Sequence, residues 1–312
     1  MMPSKTGVEL GIRAPSTAIK KAATIADTNM LDCYFVPETH PMFIGVDAFE
    51  VLEAIANKVR NLTLGTGIVN VYSRDKKTML QLASKIYRKS GGRFVLGLGT
   101  SAPIIIENMY KMKFEKPLFR ISGYTDYIKN QHNVPVYWAV VGDKITKLAA
   151  EHADGVIFFL RPESEIKRSI KIIRNTLATV DRSYDQFDIV SIRPTYIEDH
   201  KNSEHIIRMT IANYVGANEF YSKPLEKIGY KKEVLAIRQN FAKHGLAEAA
   251  RHVSNKMVRE LATFGNAKEC AEQIRQHADR TGIKTVVAGF DLPETGYNAD
   301  FFLKLQKLAG RM

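Results

Sequence analysis

Glycine and small polar residues close two apolar segments in the stretch that runs from Leu62 to Thr100. The first segment carries Gly-Thr-Gly near its end, the second ends in Gly-Leu-Gly-Thr, and a helical pattern lies between them. This order predicts a strand–helix–strand unit. Glycine at the end of such a strand lets the flat face of a ligand, or a phosphate group, approach the backbone closely. The same glycines could equally serve only to make tight turns, and spacing alone leaves both interpretations open.

Eight apolar segments rich in valine and isoleucine alternate with helical patterns along the chain and are predicted to be strands. They are 7–13, 30–36, 62–69, 93–99, 136–141, 155–160, 187–192 and 284–289. Strands that are covered by helices on both faces have such continuous apolar runs, which predicts a parallel sheet. Eight units in one chain predict an α/β protein with a single (β/α)8 TIM barrel over residues 1–312. A doubly wound open sheet is the alternative, although that fold usually has fewer strands.

About ninety residues separate the seventh and eighth predicted strands, far more than the usual connection. Helical patterns cover 205–220, 225–240, 248–262 and 267–279. We therefore expect an elaborated helical insertion at residues 196–280, before the eighth strand. It could form a lid or wall beside the mouth of the barrel, or a peripheral helical pack used in oligomerisation, and the sequence does not choose between them.

The barrel prediction also predicts where the chemistry occurs, because ligands bind at the C-terminal ends of barrel strands. Glu38 and His40 follow the second predicted strand. A histidine, with an ordinary pKa near neutral, suits proton transfer, although His40 could also be a loop residue packed by the two flanking prolines. Gly142 and Asp143 open a predicted helix, where free N–H groups and the helix dipole favour an anion.

Composition and charge narrow the class of protein. Hydrophobic residues make up 45% and charged residues 25%, which is ordinary for a globular protein. No apolar run approaches the roughly 20 residues of a membrane span, and the N-terminal residues lack the apolar core of a secretory signal, so we expect a cytoplasmic protein. The net charge of +12 is spread along the chain, which suits an anionic small molecule or a lysine-rich surface better than nucleic acid. Two cysteines, Cys33 and Cys270, indicate neither a disulfide framework nor a metal site.

Several segments resemble the bacterial-luciferase-like family. They are LGTGIVNVYSRDKKT (64–78), SGGRFVLGLGTS (90–101), FEKPLFR (114–120) and YWAVVGDKITKLAAEHADGV (137–156). The resemblance is closer to the coenzyme F420-dependent branch, which includes methylenetetrahydromethanopterin reductase, and it spans residues 7–160 well. Beyond residue 160 only FGNAKECAEQI (264–274) and the eighth predicted strand are similar. The resemblance implies a barrel that binds a flavin or deazaflavin at its C-terminal mouth.

The resemblance also implies roles for individual residues. In the family, a bulge after the third strand carries a cis peptide between non-proline residues and supports the ring, and the matching bond here is Gly67–Ile68. The loop after the fifth strand, Val141 to Lys144, matches the family's phosphate site. Asp143 replaces the usual proline there, so we expect it to cap the helix while Lys144 offsets its charge. The resemblance places the following residues around the ring: Glu38 and His40 as catalytic groups, and Thr66, Asn70, Gly99, Thr100 and Ser101 as cofactor contacts, with Thr66 alternatively satisfying the bulge.

The implied function is that of an F420-dependent oxidoreductase, which transfers a hydride between a deazaflavin and a small organic substrate. Methylenetetrahydromethanopterin, or a similar C1 or alcohol substrate, is the expected class. An FMN-dependent luciferase-like monooxygenase is the first alternative, and a non-catalytic flavin-binding protein is an alternative from another class. We also expect a homodimer or a higher homo-oligomer. Basic residues near the mouth could hold an anionic tail or an acidic substrate; they are Arg13, Arg74, Lys144, Arg161 and Arg193.

Overall fold

The computed structural model describes residues 4–38, 46–197 and 203–312, and within these ranges the strands form a closed barrel. The strands are β1 (Lys5–Leu10), β2 (Cys33–Val36), β3 (Thr63–Thr66), β4 (Val69–Asn70), β5 (Phe94–Gly99), β6 (Val136–Ala139), β7 (Gly155–Phe159), β8 (Asp188–Ile197), β9 (Thr263–Gly265) and β10 (Thr285–Phe290). Eight of the described strands pair in parallel in the order β1-β2-β3-β5-β6-β7-β8-β10, and β10 pairs with both β8 and β1. This closure confirms the predicted (β/α)8 barrel and rules out the open sheet.

Helices follow the strands and cover the outside of the barrel. They are α1 (Ser16–Thr28), α2 (Ala48–Ala56), α3 (Lys76–Lys89), α4 (Pro103–Asn108), α5 (Pro117–Lys129), α6 (Asp143–His152), α7 (Glu163–Thr179), α8 (Ser203–Ala217), α9 (Glu219–Leu225), α10 (Lys231–His244), α11 (Leu246–Ala250), α12 (Asn255–Leu261), α13 (Ala267–Thr281) and α14 (Ala299–Ala309). Buried apolar residues recur every three or four positions, as at Met79, Ala83 and Ile86 of α3. Among the described helices, none combines the length and apolar character that a membrane crossing requires.

The inside of the barrel is filled by an apolar group that we call the interior cluster. Its members are Cys33, Phe35, Val95, Tyr137, Ile157, Val190, Ile192 and Val287. Neighbouring positions on the same strands, such as Tyr34, Phe94 and Trp138, belong to the core between the strands and the outer helices. Both faces of each strand are therefore buried, which explains the continuous apolar runs in the sequence. Ile68 and Phe159 pack on the interior cluster.

The segment between β8 and β10 contains α8 to α13 and the short strand β9. It has a core of its own, the helical cluster, which includes Ile207, Ile211, Val215, Leu225, Val234, Ile237, Met257 and Val258. The helix predicted at 225–240 begins later, at Lys231, because the chain kinks at Gly229, where φ is 101°. Strand β9 pairs with the end of β8 and was not predicted, since three residues are too few for a periodic pattern.

Arg193, on β8, ties the helical region to the barrel. Its buried guanidinium donates to the carbonyl oxygens of Arg259, Glu260 and Ala262 at 3.2, 3.1 and 2.8 Å. It also donates to the Thr263 hydroxyl at 3.0 Å. These carbonyls lie at the C-terminal end of α12, where a helix lacks internal hydrogen-bond donors. Arg193 is therefore committed to the protein interior rather than to an anionic ligand at the mouth.

Candidate active site

A cavity of about 230 Å³ lies at the C-terminal ends of the barrel strands. Residues that follow six of the strands contribute to its lining: Gly11 and Ile12 after β1, Pro37 and Glu38 after β2, Gly67 and Ile68 after β3, Ser101 after β5, Val140 and Val141 after β6, and Asp291 and Leu292 after β10. Pro194 to Tyr196, within β8, line it too. Phe159, at the end of β7, lines it as well. The cavity is therefore at the end of the barrel where ligands bind in this fold.

The floor of the cavity is formed by Gly67 and Ile68, between β3 and β4, and the peptide bond that joins them is cis. The Gly67 N–H donates to the Val36 carbonyl at 2.9 Å, and the Glu38 N–H donates to the Ile68 carbonyl at 3.1 Å. These two bonds fix the floor to the end of β2. A Cβ on Gly99 would lie 2.6 Å from Cδ1 of Ile68, so glycine at 99 leaves the space that the Ile68 side chain fills.

The structure brings together part of the predicted set. Of the predicted site residues that the structure describes, the ones that line the cavity are Glu38, Gly67, Ile68, Asn70, Ser101 and Val141. Those outside its lining are Thr66, Gly99, Thr100, Gly142, Asp143 and Lys144. The buried Thr66 hydroxyl donates to the Gly97 carbonyl at 2.8 Å, so it satisfies the bulge rather than facing a ligand. His40 lies outside the described residues.

Asn70 is held in place from both ends of its amide. Its Nδ2 donates to the Tyr110 hydroxyl at 3.0 Å, and its Oδ1 accepts from the Tyr72 N–H at 2.9 Å. These two bonds, to the segments that follow β4 and α4, fix the orientation of the Asn70 amide at the cavity.

Asp143 does not cap α6, so that expectation was wrong. It is the first residue of the helix, and the residue before it, Gly142, has no side chain with which to cap. The Asp143 carboxylate pairs with Arg168 instead, so Arg168 rather than Lys144 offsets its charge. No described atom outside the neighbouring residues lies within 4 Å of the point where a Cβ on Gly142 would be. The start of α6 is thus uncrowded and its backbone N–H groups lack a side-chain cap.

Arg74 joins Glu38 to the start of α2. Its guanidinium contacts the Glu38 carboxylate at 2.6 Å and the Asp47 carboxylate at 2.7 Å. Desolvation alone would lower the pKa of Arg74, but the two carboxylates outweigh it and raise the pKa. The other Asp47 oxygen accepts from the Phe49 N–H at 2.8 Å and so caps α2. Arg74 therefore orients Glu38 at the cavity and is not available to hold an anionic tail.

Glu9, on β1, is a second carboxyl group in the cavity, and it differs from Glu38 in having no counter-ion. It is 6% exposed and forms no hydrogen bond through its carboxyl group with any residue that the structure describes. A Cβ on Gly67 would lie 2.8 Å from Oε1 of Glu9, so the carboxyl group lies directly beside the floor. Burial, and then the charge of Asp291, raise the pKa of Glu9 well above its ordinary value. Both effects favour the protonated form of Glu9 over its carboxylate.

Asp291 and Arg13, which follow the neighbouring strands β10 and β1, form an ion pair with Nη2 of Arg13 3.2 Å from Oδ2 of Asp291. Burial raises the pKa of Asp291, and Arg13 opposes that rise. Among the residues described, no group of three or more His, Cys, Asp or Glu side chains is arranged as a metal site. The acidic groups of the cavity are thus Glu9, which is not ion-paired with any described residue, and the ion-paired Glu38 and Asp291.

Comparison with known proteins decides the family. The family model described as "Luciferase-like monooxygenase" matches residues 1–131 and 125–285, which is most of the chain. The chain belongs to the luciferase-like family. This membership confirms the resemblance found in the sequence, and with it the prediction of an enzyme of the oxidoreductase class.

Individual relatives of this luciferase-like protein are distant. It is 24% identical over 273 residues to 5,10-methylenetetrahydromethanopterin reductase of Archaeoglobus fulgidus, covering 78% of this chain and 81% of that protein. Among solved structures, the F420-dependent tetrahydromethanopterin reductase of Methanopyrus kandleri has a TM-score of 0.80 at 18% identity, covering 99% and 97% of the two chains. An F420-dependent secondary alcohol dehydrogenase, in complex with an F420–acetone adduct, has a TM-score of 0.77 at 12% identity and full coverage of both.

An FMN-bound relative shares the same barrel. The oxygenating constituent of 3,6-diketocamphane monooxygenase from Pseudomonas putida has a TM-score of 0.69 at 10% identity, covering 99% and 97% of the two chains. At such low identity these structures establish the fold of the luciferase-like chain and nothing finer.

Several cavity residues of the luciferase-like chain were not found from its sequence. Glu9 is a lone acid inside the apolar strand GVELGIR, and that interruption is a signal that could have singled it out. Tyr214 and Tyr221 come from α8 and α9 and line the cavity beside Phe159. Nothing local in the sequence marks these tyrosines, because the contact depends on how the helical region folds back over the barrel.

Proposed function

We propose that this protein is an F420-dependent oxidoreductase that transfers a hydride between C5 of the deazaflavin ring and a small organic substrate. The observation that supports this most directly is the Gly67–Ile68 backbone, which forms a floor to a mostly apolar cavity at the mouth of the barrel. The names of the relatives support a deazaflavin or flavin as cofactor and a small molecule as substrate. The choice of F420 over FMN, and the homo-oligomeric state, remain predictions.

The residues present fit such a cofactor. The planar ring would rest against Gly67 and Ile68, where backbone and an aliphatic side chain offer a flat apolar contact. The phosphate would bind at the start of α6, where Gly142 is uncrowded and the backbone N–H groups have no side-chain cap. An unpaired Asp143 carboxylate would repel an anion at this position, but its ion pair with Arg168 offsets that charge.

The bound cofactor would supply the hydride chemistry, and the protein would supply the proton and the orientation. Glu9 would hold a proton beside the floor, because burial raises the pKa of its carboxyl group. It can donate that proton to a substrate atom that gains charge in the reaction. Glu38 is held at the cavity by Arg74, which favours its carboxylate form. Two carboxyl groups in different environments thus take the two roles of proton donor and fixed negative charge.

Titration of the purified protein with F420 and with FMN, side by side, tests the proposal. We expect F420 to bind at least about tenfold more tightly than FMN, a difference of about 1.4 kcal/mol. The Gly99→Ala variant should weaken F420 binding, since the added Cβ displaces the Ile68 side chain from the floor. The Gly123→Ala variant is the control, because its Cβ would approach only the end of the Lys76 side chain.

Other results would redirect the assignment. Tighter binding of FMN, with consumption of oxygen, would favour the monooxygenase alternative. Tight F420 binding without turnover of any reductant would favour a non-catalytic binding protein. If neither cofactor binds, the proposed function is wrong.

A further inference from the structure

Two acids of the cavity, Glu9 and Asp291, lie in successive layers on the inner face of neighbouring strands. Glu9, on β1, is in register with Gly289, on β10. Gly11 and Asp291 come two residues later in the same two segments, and all four residues line the cavity. Because residues two apart in a strand share a face, Asp291 belongs to the layer directly above Glu9, on the side of the mouth.

The two glycines leave the space between these acids free of side chains from either strand. A Cβ on Gly289 would lie 3.5 Å from Oε2 of Glu9, and a Cβ on Gly11 would lie 2.9 Å from Oδ1 of Asp291. Each carboxyl group therefore lies over the glycine of the neighbouring strand. Successive layers of a parallel strand are about 6.6 Å apart, a separation that one water molecule between two carboxyl groups can bridge.

The two acids differ in their access to solvent. Glu9 is 6% exposed, whereas the Asp291 side chain is 16% exposed and that of its partner Arg13 is 35% exposed. Burial raises the pKa of both acids, but Arg13 opposes the rise at Asp291. Asp291 is therefore the acid that exchanges protons with water at the mouth, and Glu9 is the one that retains its proton.

Tyrosines and Glu38 are the other ionisable side chains in the described lining of the cavity. A phenol ordinarily keeps its proton up to a pH of about 10. Burial raises the pKa of Tyr214 above that value and the pKa of Tyr221 to about 12. The Glu38 side chain is 2% exposed and paired with Arg74, so it has little contact with water. Asp291 is thus the described group best placed to carry a proton from solvent to Glu9.

Resting on the proposed function and on Glu9 as its proton donor, we propose that Asp291 returns a proton from solvent to Glu9 between turnovers. The Asp291 carboxylate, paired with Arg13, takes a proton from water at the mouth. Its new O–H bond then breaks as an O–H bond forms on the Glu9 carboxylate, directly or through one water molecule. No electrons move in this step, and in the reverse reaction the proton travels outwards. Asp291 acts through Glu9 rather than on the substrate.

Hydrogen–deuterium exchange at the Glu9 carboxyl group tests this without turnover. Deuterium lowers the frequency of the C=O stretch of a protonated carboxyl group. Rapid mixing of the F420-loaded protein with deuterium oxide at pH 6, followed by infrared spectroscopy, therefore gives the exchange rate. The Glu9 band is identified by its loss in Glu9→Gln. We expect Asp291→Asn to slow exchange at Glu9 by at least about tenfold, because an amide does not pass on a proton as a carboxyl group does.

Further variants separate the loss of the relay from the loss of the ion pair. Arg13→Gln breaks the ion pair but keeps the Asp291 carboxyl group, so exchange should stay close to the wild-type rate. Asp291→Ala leaves room for a small acid, and added formate should restore fast exchange there but not in Asp291→Asn. Asp300→Asn removes an exposed, ion-paired acid of α14 outside the cavity lining and should have no effect.

The inference is overturned if Glu9 exchanges as fast in Asp291→Asn as in the wild type, or if Arg13→Gln slows exchange to the same extent. It is also overturned if formate does not speed exchange in Asp291→Ala, or if the wild-type protein shows no band of a protonated Glu9. F420 affinity is measured separately. Failure of the wild-type protein to bind F420 would instead contradict the proposed function.

Discussion

Replacing Arg193 by methionine should destabilise the protein strongly, since that guanidinium joins the helical region to the barrel. Its four hydrogen bonds, at 2.8 to 3.2 Å, reach three helix-end carbonyls and one hydroxyl. A hydrogen bond to a charged group contributes about 1.5–3 kcal/mol, so the gross loss is several times that value. The cost of burying the charge partly offsets this loss. Desolvation lowers the pKa of Arg193 to about 10 from 12.5, which corresponds to a cost of roughly 3 kcal/mol that is absent in the methionine variant. We expect a net loss of about 3–5 kcal/mol.

Arg182 provides a matched control, because it makes the same kind of contact at the surface. Its guanidinium donates to the carbonyls of Ala150, Glu151 and Ala153, at the end of α6, at 2.8, 3.2 and 2.7 Å. The Arg182 side chain is 29% exposed, so water can replace it at those carbonyls. Arg182→Met should therefore cost only about 1 kcal/mol, the net value of an ordinary hydrogen-bonded site.

Urea unfolding at pH 7, followed by circular dichroism, gives both free energies of unfolding, and calorimetry gives the melting temperatures. A loss of about 3–5 kcal/mol corresponds to a fall of about 5–8 °C in the melting temperature for a chain of this size. Arg193→Lys should fall between wild type and Arg193→Met, because one ammonium group cannot reach all four acceptors. If Arg193→Met costs no more than Arg182→Met, the anchor assigned to Arg193 does not exist.

Two further predictions concern buried titratable groups. Glu9→Gln should lower turnover by about 10²- to 10⁴-fold, with F420 affinity unchanged, as for a lost general acid. Glu9→Gln should also raise the melting temperature at pH 8, because the wild-type protein loses stability as the pH rises from 4.5 towards the raised pKa of Glu9. An unchanged turnover rate would contradict the role of Glu9 as a proton donor. Burial lowers the pKa of His277 below 6.5, so the stability that its neutral form provides is complete above that pH and is lost as pH falls. His277→Gln should therefore flatten the urea-derived stability profile below pH 6.5, and an unchanged slope would contradict this.

The barrel could be predicted from the sequence because each strand carries its own local signal. Apolar runs such as GVIFF and FVLGLG are buried on both faces, and glycine or a polar residue marks their ends. Eight successive βα units require the sheet to close into a barrel, and closure then sets the hydrogen-bond register between neighbouring strands. The floor residues Gly67 and Ile68 could be placed because they lie near the C-terminal end of a predicted strand and because the family resemblance marks the bond between them.

The side of the cavity formed by the helical region could not be predicted in this way. Tyr214 follows Phe159 by more than fifty residues along the chain, and their contact depends on packing between two separate apolar clusters. Helix patterns give the length and face of a helix but not the angle at which it crosses a barrel. Asp143 shows a smaller failure of the same kind: whether an acid caps a helix or pairs with a distant arginine depends on a shift of one residue.

The cavity thus has two surfaces with separate structural origins, and this separation bears on how such a protein can change its substrate. The floor is set by strand register and by the two backbone hydrogen bonds at Gly67 and Ile68, so altering it disturbs the barrel itself. The opposite boundary includes Tyr214 and Tyr221, which lie on helices that contact the barrel at Phe159 and, through Arg193, at the end of α12. Side chains on those helices can change while the floor persists. Solved structures named for a secondary alcohol dehydrogenase and for a 3,6-diketocamphane monooxygenase share this fold at 10–12% identity, so the barrel itself persists while nearly all of its side chains change.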